Sequence, residues 1–298
     1  MLKERTRKIK DQLDKLTDFV SGRTYFVMLK TATGYEEFVR DNEPYLDGTS
    51  KVFNLPSDAL AVAKAYDRVI VASGIYDSGA ELVISQENLK LLGSSTTGIE
   101  WGPCSLKASS ASHNIISVEA NGVEIAYLGF IQDTANKCID IDSTEFGAAI
   151  YKTHIHHCHL GCSLGTYGVY ISEGVDTVVE ENEFYLAVTA GVYLEGTRSK
   201  IRNNIMFVPD SGIGIQYVPT AGDTPHCLID HNYICGTGTT DVGIQLDGTP
   251  SAGTLMMTEN KIFGCATTIT ATSNGSKIAM NNYTGSEDGS ITPIDTDS

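Results

Sequence analysis

The feature that most constrains the fold of this chain is a six-residue phrase, hydrophobic-x-x-Asn-x-hydrophobic, that returns along the sequence. It reads Val179-Glu180-Glu181-Asn182-Glu183-Phe184, Ile201-Arg202-Asn203-Asn204-Ile205-Met206, Ile229-Asp230-His231-Asn232-Tyr233-Ile234 and Met257-Thr258-Glu259-Asn260-Lys261-Ile262. Ile278-Ala279-Met280-Asn281-Asn282-Tyr283 extends the series C-terminally. Ile155…Cys158…Leu160 and Ile125…Leu128…Phe130 extend it N-terminally with the Asn replaced. From Leu128 to Asn281 the steps are 30, 24, 22, 28, 28 and 21 residues, too long for heptads and within the range of solenoid repeats.

A second phrase keeps step with the first. It comprises Cys138-Ile139-Asp140-Ile141, Gly168-Val169-Tyr170-Ile171, Gly191-Val192-Tyr193-Leu194, Gly212-Ile213-Gly214-Ile215 and Gly243-Ile244-Gln245-Leu246. Each repeat therefore contains two short strands. Seven Cys are present, and Cys138, Cys158, Cys227 and Cys265 fall inside the repeats. That placement reads as reduced thiols filling a solenoid interior rather than a disulfide framework.

A formal net charge of −16 argues against nucleic acid or an anionic membrane as the main partner, because both repel an acidic surface. No stretch approaches the ~20 apolar residues that span a bilayer. Residues 1–20 are too charged for the apolar run of a signal peptide, so the expectation is synthesis in the cytoplasm without a signal peptide. Within them Leu2, Ile9, Leu13, Leu16 and Val20 occupy a/d positions of a heptad, with Thr6 in the remaining slot. About three heptads need a neighbour to be stable: further copies, another protein, or the body of this chain. After the Pro56-Ser57 turn signal, residues 58–65 read as a short Ala/Leu/Val helix, placed to cover the open end of the first coil.

From Arg68 the text becomes Val69-Ile70-Val71-Ala72-Ser73-Gly74-Ile75-Tyr76, then Glu81-Leu82-Val83-Ile84 and Leu89-Lys90-Leu91-Leu92-Gly93. Over about residues 58 to 284 the chain resembles the pectate-lyase-like superfamily. The resemblance implies an all-β fold, a right-handed single-stranded parallel β-helix (solenoid), here with a short N-terminal helical segment. It also implies an Asn ladder at a tight turn, matched by Asn182, Asn204, Asn232, Asn260 and Asn281. Asn tolerates a left-handed backbone and its amide bonds neighbouring turns. On this reading Leu128 and Cys158 break the ladder and should turn differently. The segments are then 1–57, helix and attachment or oligomerisation; 58–284, β-helix with its capping helix; and 285–298, an acidic tail.

Alternation in the second phrase turns Asp140, Tyr170, Tyr193, Gly214 and Gln245 outward in one column, and Asp142, Ser172, Glu195, Gln216 and Asp247 in another. Tyr170 and Tyr193 would offer ring faces to sugars, with Gln216 and Gln245 binding hydroxyls. Asp142, Glu195 and Asp247 are the candidate acids and bases if the face is catalytic. Two rungs, roughly 9 to 10 Å, separate Glu195 from Asp247, near the upper end of the carboxyl spacing of inverting glycosidases. A solvated acidic face is the alternative. Two residues before the Asn, His156, Glu180, Arg202 and Asp230 read as an ion ladder. In His154-Ile155-His156-His157-Cys158-His159-Leu160-Gly161-Cys162, His154 and His156 with Cys162 or Glu180 are candidate ligands for a metal, against the leading reading of the thiols as core filler; no cofactor is otherwise implied.

The paired-Asp, Gly-His-Gly and Arg-x-Lys elements of polygalacturonases in this superfamily are not found. With the heptads and the lack of an apolar leader, this resembles phage tailspike and virion surface proteins. The leading expectation is a spike or capsid decoration protein on a virion surface, a homotrimer attached to other virion proteins through its N-terminal segment and binding polysaccharide. The competing expectation is a polysaccharide hydrolase or lyase.

Overall fold

The computed structural model describes residues 22–42, 52–94, 104–108, 113–142, 149–172, 174–185, 189–219, 226–247, 255–271, 277–280, 282–285 and 291–294. The heptad-patterned residues 1–20 and Asn281 lie outside these. Among the described residues three sheets of eleven, ten and eight strands surround one core, parallel but for one terminal strand, and from Arg68 to Ala271 each coil contributes a strand to each sheet. The coil Val178–Glu180, Glu183–Tyr185 and Ala190–Leu194 is followed by Lys200–Arg202, Ile205–Val208 and Ile213–Tyr217, and then by Cys227–Asp230, Tyr233–Gly236 and Val242–Leu246. We call these sheets 1, 2 and 3 in that order. The architecture is the right-handed parallel β-helix expected from the sequence. Two further coils precede the first recognisable phrase, Arg68–Val71 to Leu82–Ile84 and Lys90–Gly93 to Ile116–Val118.

Sheet 1 begins still earlier, since Thr24–Val27 pairs in parallel with both Val52–Phe53 and Arg68–Val71. The helix Pro56–Leu60 buries Pro56, Ala59 and Leu60, and Ala59, Leu60 and Ala63 join Tyr25, Val27 and Tyr76 in the core. It therefore covers the open end of the coil stack. A second helix, Tyr35–Asn42, packs Phe38 and Val39 with Phe26 and Val52. At the other end Ile291–Ile294 pairs antiparallel with Asn282–Gly285.

The core consists of columns. Ile125, Ile155, Val179, Ile201, Ile229 and Met257 stack in register in sheet 1, and Phe130, Leu160, Phe184, Met206, Ile234 and Ile262 in sheet 2. All of them are buried. The Gly of the second phrase answers to close packing: a Cβ on Gly168 would lie 2.6 Å from the Gly191 carbonyl oxygen and 2.7 Å from the Phe184 ring. All seven Cys are free thiols, five of them buried.

Between sheets 1 and 2 the Asn amides form a continuous chain. Asn204 Oδ1 accepts from both the backbone N–H and Nδ2 of Asn182, at 3.1 Å each. Asn204 Nδ2 donates to Val179 O at 2.9 Å and to Asn232 Oδ1 at 3.0 Å. Asn232 repeats this pattern with Asn260. The left-handed residue is the one before the Asn: Glu181, Asn203, His231 and Glu259 have φ of 54 to 56°. Tyr127 and His157, before Leu128 and Cys158, have φ of 60° and 53°, so those two rungs turn as the others do, contrary to the sequence expectation. Cys158 keeps half of the pattern, its N–H donating to Asn182 Oδ1 at 2.9 Å.

The adjacent pair Asn203-Asn204 thus separates two roles. Asn204→Ala should lower stability by about 3 kcal/mol, because it strands buried donors on Asn182 and the Val179 carbonyl. Asn203→Ala, exposed and changing only the cost of a left-handed backbone, should cost about 1 kcal/mol. Thermal midpoints of the two variants test this; equal shifts would refute the division.

Candidate functional site

Sheet 3 presents a polar and aromatic outer face. Asp140, Tyr170, Tyr193, Gln216 and Gln245 are direct register partners on successive rungs. Gln216 therefore belongs to the tyrosine column and Gly214 is buried, a two-residue correction to the sequence reading. The slip arose because Gly212-Ile213 and Gly214-Ile215 both fit the phrase. In the second column Val218 takes the place assigned to Gln216, since its N–H bonds Leu194 O just as Asp247 N–H bonds Tyr217 O.

Tyr170 and Tyr193 stack on each other, 4.4 Å between centroids and 11° apart. Tyr167 lies tilted against Tyr170 at 5.0 Å and edge-on to Tyr193 at 5.5 Å. Lys137 Nζ sits 3.7 Å from the Tyr170 centroid. The facing surfaces of the two rings are thus taken up by one another, which leaves ring edges, hydroxyls and the side of Tyr193 towards Gln216. Burial pushes the Tyr193 hydroxyl up, and the nearby Glu195 carboxylate adds to it.

Among the proposed acids and bases, Glu195 Oε2 accepts from Tyr193 Oη at 3.3 Å, and Asp247 Oδ2 accepts from Gln216 Nε2 at 3.0 Å and Gln245 Nε2 at 2.6 Å. Asp142 and Glu195, like Glu195 and Asp247, stand two rungs apart, about 9.6 Å between backbones. Sequence reasoning placed Asp140 in the column without singling it out. Its Oδ2 accepts from Lys137 Nζ at 2.7 Å and Asn114 Nδ2 at 3.0 Å, while its buried Oδ1 has no partner among the described residues. Burial raises this carboxyl; Lys137 opposes the shift, and Asp142 and Glu81 reinforce it. Lys137, three residues earlier in the same repeat, was the available signal.

The second cluster surrounds the Asn turn at the His-rich rung. His154 Nε2 lies 2.8 Å from Glu180 Oε1, His157 Nε2 2.9 Å from Glu181 Oε2, and His159 Nδ1 3.2 Å from Glu183 Oε2. His156 Nε2 reaches back to Glu124 Oε1 at 3.3 Å, and Arg202 Nε pairs with Glu180 Oε2 at 2.6 Å. An ion ladder is therefore present, and it crosses columns as well as rungs. A groove of about 320 Å³ opens here, lined by His157, His159, Glu181, Glu183, Asn203 and Ile205 among others. Of the three metal candidates, His154 and His156 stand together, with ring centroids 4.2 Å apart. Cys162 is not with them: it is fully buried, its Sγ towards Tyr167 O. The Asn turn separates their strands and Cys162 faces the core. Among the described residues no group of three His, Cys, Asp or Glu is arranged to hold a metal.

The two faces should respond oppositely to pH. Burial would raise the Glu180 carboxyl, but Arg202 and His154 outweigh it and hold it below the ordinary value. A depressed folded-state pKa contributes stability above the unfolded value that is lost as pH falls through the folded one. Asp140, raised on folding, instead loses stability as pH rises through its titration. Glu180→Gln should thus lower the thermal midpoint at pH 7 with the difference closing towards pH 3, whereas Asp140→Asn should leave it unchanged or higher at pH 7. A lower midpoint for Asp140→Asn would contradict this account.

A pectin methylesterase from Aspergillus niger superposes with a TM-score of 0.58 at 12% identity, over 82% of this chain and 85% of that one. An alginate lyase from Paenibacillus sp. gives 0.46 at 13% identity over 76% and 91%, and the tailspike protein of E. coli bacteriophage HK620, in complex with pentasaccharide, 0.41 at 12% over 74% and 48%. At such identity the esterase likeness shows the fold. No curated protein sequence is matched. Residues 106–294, more than half of the chain, match the family described as "Periplasmic copper-binding protein (NosD)", and the chain belongs to that NosD family.

Proposed function

We propose that this β-helix engages carbohydrate along the outer face of sheet 3, as a spike or decoration protein of a virion surface. The observation that carries the reading is the in-register row Asp140, Tyr170, Tyr193, Gln216 and Gln245, with Tyr167, Glu195 and Asp247 beside it. Hydroxyls, amides and carboxylates repeating at about 4.8 Å along a rigid axis suit an extended glycan that makes the same contacts repeatedly. A net charge of −16 disfavours polyuronates and points to neutral or amino sugars. The virion role draws on the heptad pattern of residues 1–20 and the missing polygalacturonase elements. A homotrimer joined through residues 1–20 completes this proposal.

Glycan-array binding combined with a reducing-end assay tests it. The expected result is binding to a neutral glycan that Tyr193→Ala weakens by about 0.5–1.5 kcal/mol, with no new reducing ends. Cleavage abolished by Glu195→Ala and Asp247→Ala would replace the binding reading with a hydrolytic one, and inertness in both assays would remove the carbohydrate reading.

A second reading is that this chain binds copper or a similar transition metal, as its family's description says of the family. What favours it is the family match over residues 106–294 together with the neighbouring imidazoles of His154 and His156, ring centroids 4.2 Å apart.

A further inference from the structure

Resting on the carbohydrate reading, we infer that the row on sheet 3 takes an extended glycan whose amino sugars carry free, positively charged amines, received by Glu195 and Asp247 and, further along, by Asp142. The row turns its own polar hydrogens onto its own acceptors. Tyr193 Oη donates to Glu195 Oε2 at 3.3 Å, and Gln216 Nε2 and Gln245 Nε2 both donate to Asp247 Oδ2, at 3.0 and 2.6 Å. Asn114 Nδ2 donates to Glu81 Oε1 at 2.8 Å as well as to Asp140, and Ser172 Oγ to Ile141 O at 3.4 Å. A carboxylate accepts about four hydrogen bonds, so Glu195 and Asp247 have room for more donors than these. A ligand suited to the face therefore brings donors, and charge decides which kind. Among the described residues the single cation of the row is Lys137, so anionic groups are repelled and ammonium groups attracted, an effect that the net charge of −16 extends to long range.

Lys137 shows how the face holds such a group. Its ammonium donates to Asp140 Oδ2 at 2.7 Å and lies 3.7 Å from the Tyr170 ring centroid. With 4.4 Å between the Tyr170 and Tyr193 centroids there is no space between the rings, so Lys137 caps the outer side of the stacked pair. The opposite side belongs to Tyr193 and looks towards the Gln216 rung. Glu195 stands on the rung of Tyr193, and Asp247 two rungs further on. One end of the pair thus has a carboxylate, a ring face and the chain's own ammonium; the other has a ring face and two carboxylates. An ammonium over a tyrosine ring with a carboxylate beside it is held by the ring quadrupole and by a charge-assisted hydrogen bond together.

The spacing fits one kind of linkage. The second column reads Asp142, Ser172, Glu195, Val218 and Asp247, a carboxylate on every second rung at intervals of about 9.6 Å. Glu119, on the rung before Asp142, adds an acid outside this alternation. A β-1,4-linked chain laid along the axis advances about one sugar per rung and turns over at each linkage, so its amines return to the same side at every second sugar. Those amines meet Asp142, Glu195 and Asp247 in step, while the intervening ones turn away over Ser172 and Val218.

Full-length protein should be titrated calorimetrically at about pH 5.5 with the β-1,4-linked hexamer of glucosamine and with its fully N-acetylated counterpart, which keeps the chain and removes the charge. The free-amine hexamer is expected to bind about tenfold more tightly, with the advantage largely gone in about 1 M salt. In the double variant Glu195→Gln, Asp247→Asn its affinity should fall about tenfold or more, whereas Glu259→Gln, at an acid on the Asn turn, should leave it unchanged. Circular dichroism of each variant checks that the coil stack is intact, and the comparison of the two hexamers on wild type holds even where a variant fails to fold. Equal affinity for the two hexamers overturns the inference, and so does an equal loss in Glu259→Gln, which would mean diffuse attraction to an acidic protein. If neither hexamer nor any arrayed glycan binds, the carbohydrate reading itself falls. If arrayed neutral glycans bind and the free-amine hexamer has no advantage, that reading stands and this inference does not.

Discussion

Each amide of the Asn ladder holds three coils at once, and the remaining structure depends on that. At the turn between sheets 1 and 2 a left-handed residue bends the chain, and the next N–H meets the next coil where no strand carbonyl stands opposite it. A buried N–H must find an acceptor. Asn supplies one from the following coil, and its own amide hydrogens return to a carbonyl of the preceding coil, as Asn204 does to Val179 O. A one-residue slip would break every such bond and expose the aliphatic columns, so the ladder sets register for all three sheets.

Once register is set, each outward position becomes a column with one side chain about every 4.8 Å, and the three faces acquire separate chemistries. Sheet 1 and its turn carry charges of both signs. Sheet 2 carries stacked rings, with Tyr185 on Phe207 at 4.8 Å and Tyr233 near Phe263 at 5.4 Å. Sheet 3 carries the tyrosine, amide and carboxylate row. Exposed ion pairs contribute only about 0–1 kcal/mol each, so the charges on sheet 1 do not hold the coils together. Their spacing does oblige neighbouring rungs to alternate in sign.

The fold was legible because it rests on repetition: four Asn phrases with flanking aliphatics suffice to show coils of two or more strands. The first coils were less legible because Thr24–Val27 and Val52–Phe53 sit in sheet 1 without an Asn phrase beside them. Within the site, the tyrosine column was readable from alternation, and its one error came from two overlapping Gly-Ile pairs. What sequence could not supply was the side of the coil at a turn. Alternation holds only within a strand, and the left-handed residue breaks it, so His154 and His156 face outward while Cys162, beyond the turn at Cys158, faces the core.

That same break explains the crowding at the His rung. In an ordinary strand adjacent residues point to opposite faces, yet His156 ends the strand outward and His157, in the left-handed position, also points outward. The next coil repeats this, and Glu180-Glu181 places two carboxylates side by side. The His rung and the Glu rung answer each other, His154 to Glu180, His157 to Glu181 and His159 to Glu183, while Arg202 from the far side shares Glu180. His156 is the imidazole that this exchange leaves over, and it turns to Glu124 on the preceding coil. The His-rich stretch and Glu180-Glu181-Asn182-Glu183 are thus one electrostatic unit written 24 residues apart, and His156, turned back to Glu124, ties it to the coil before.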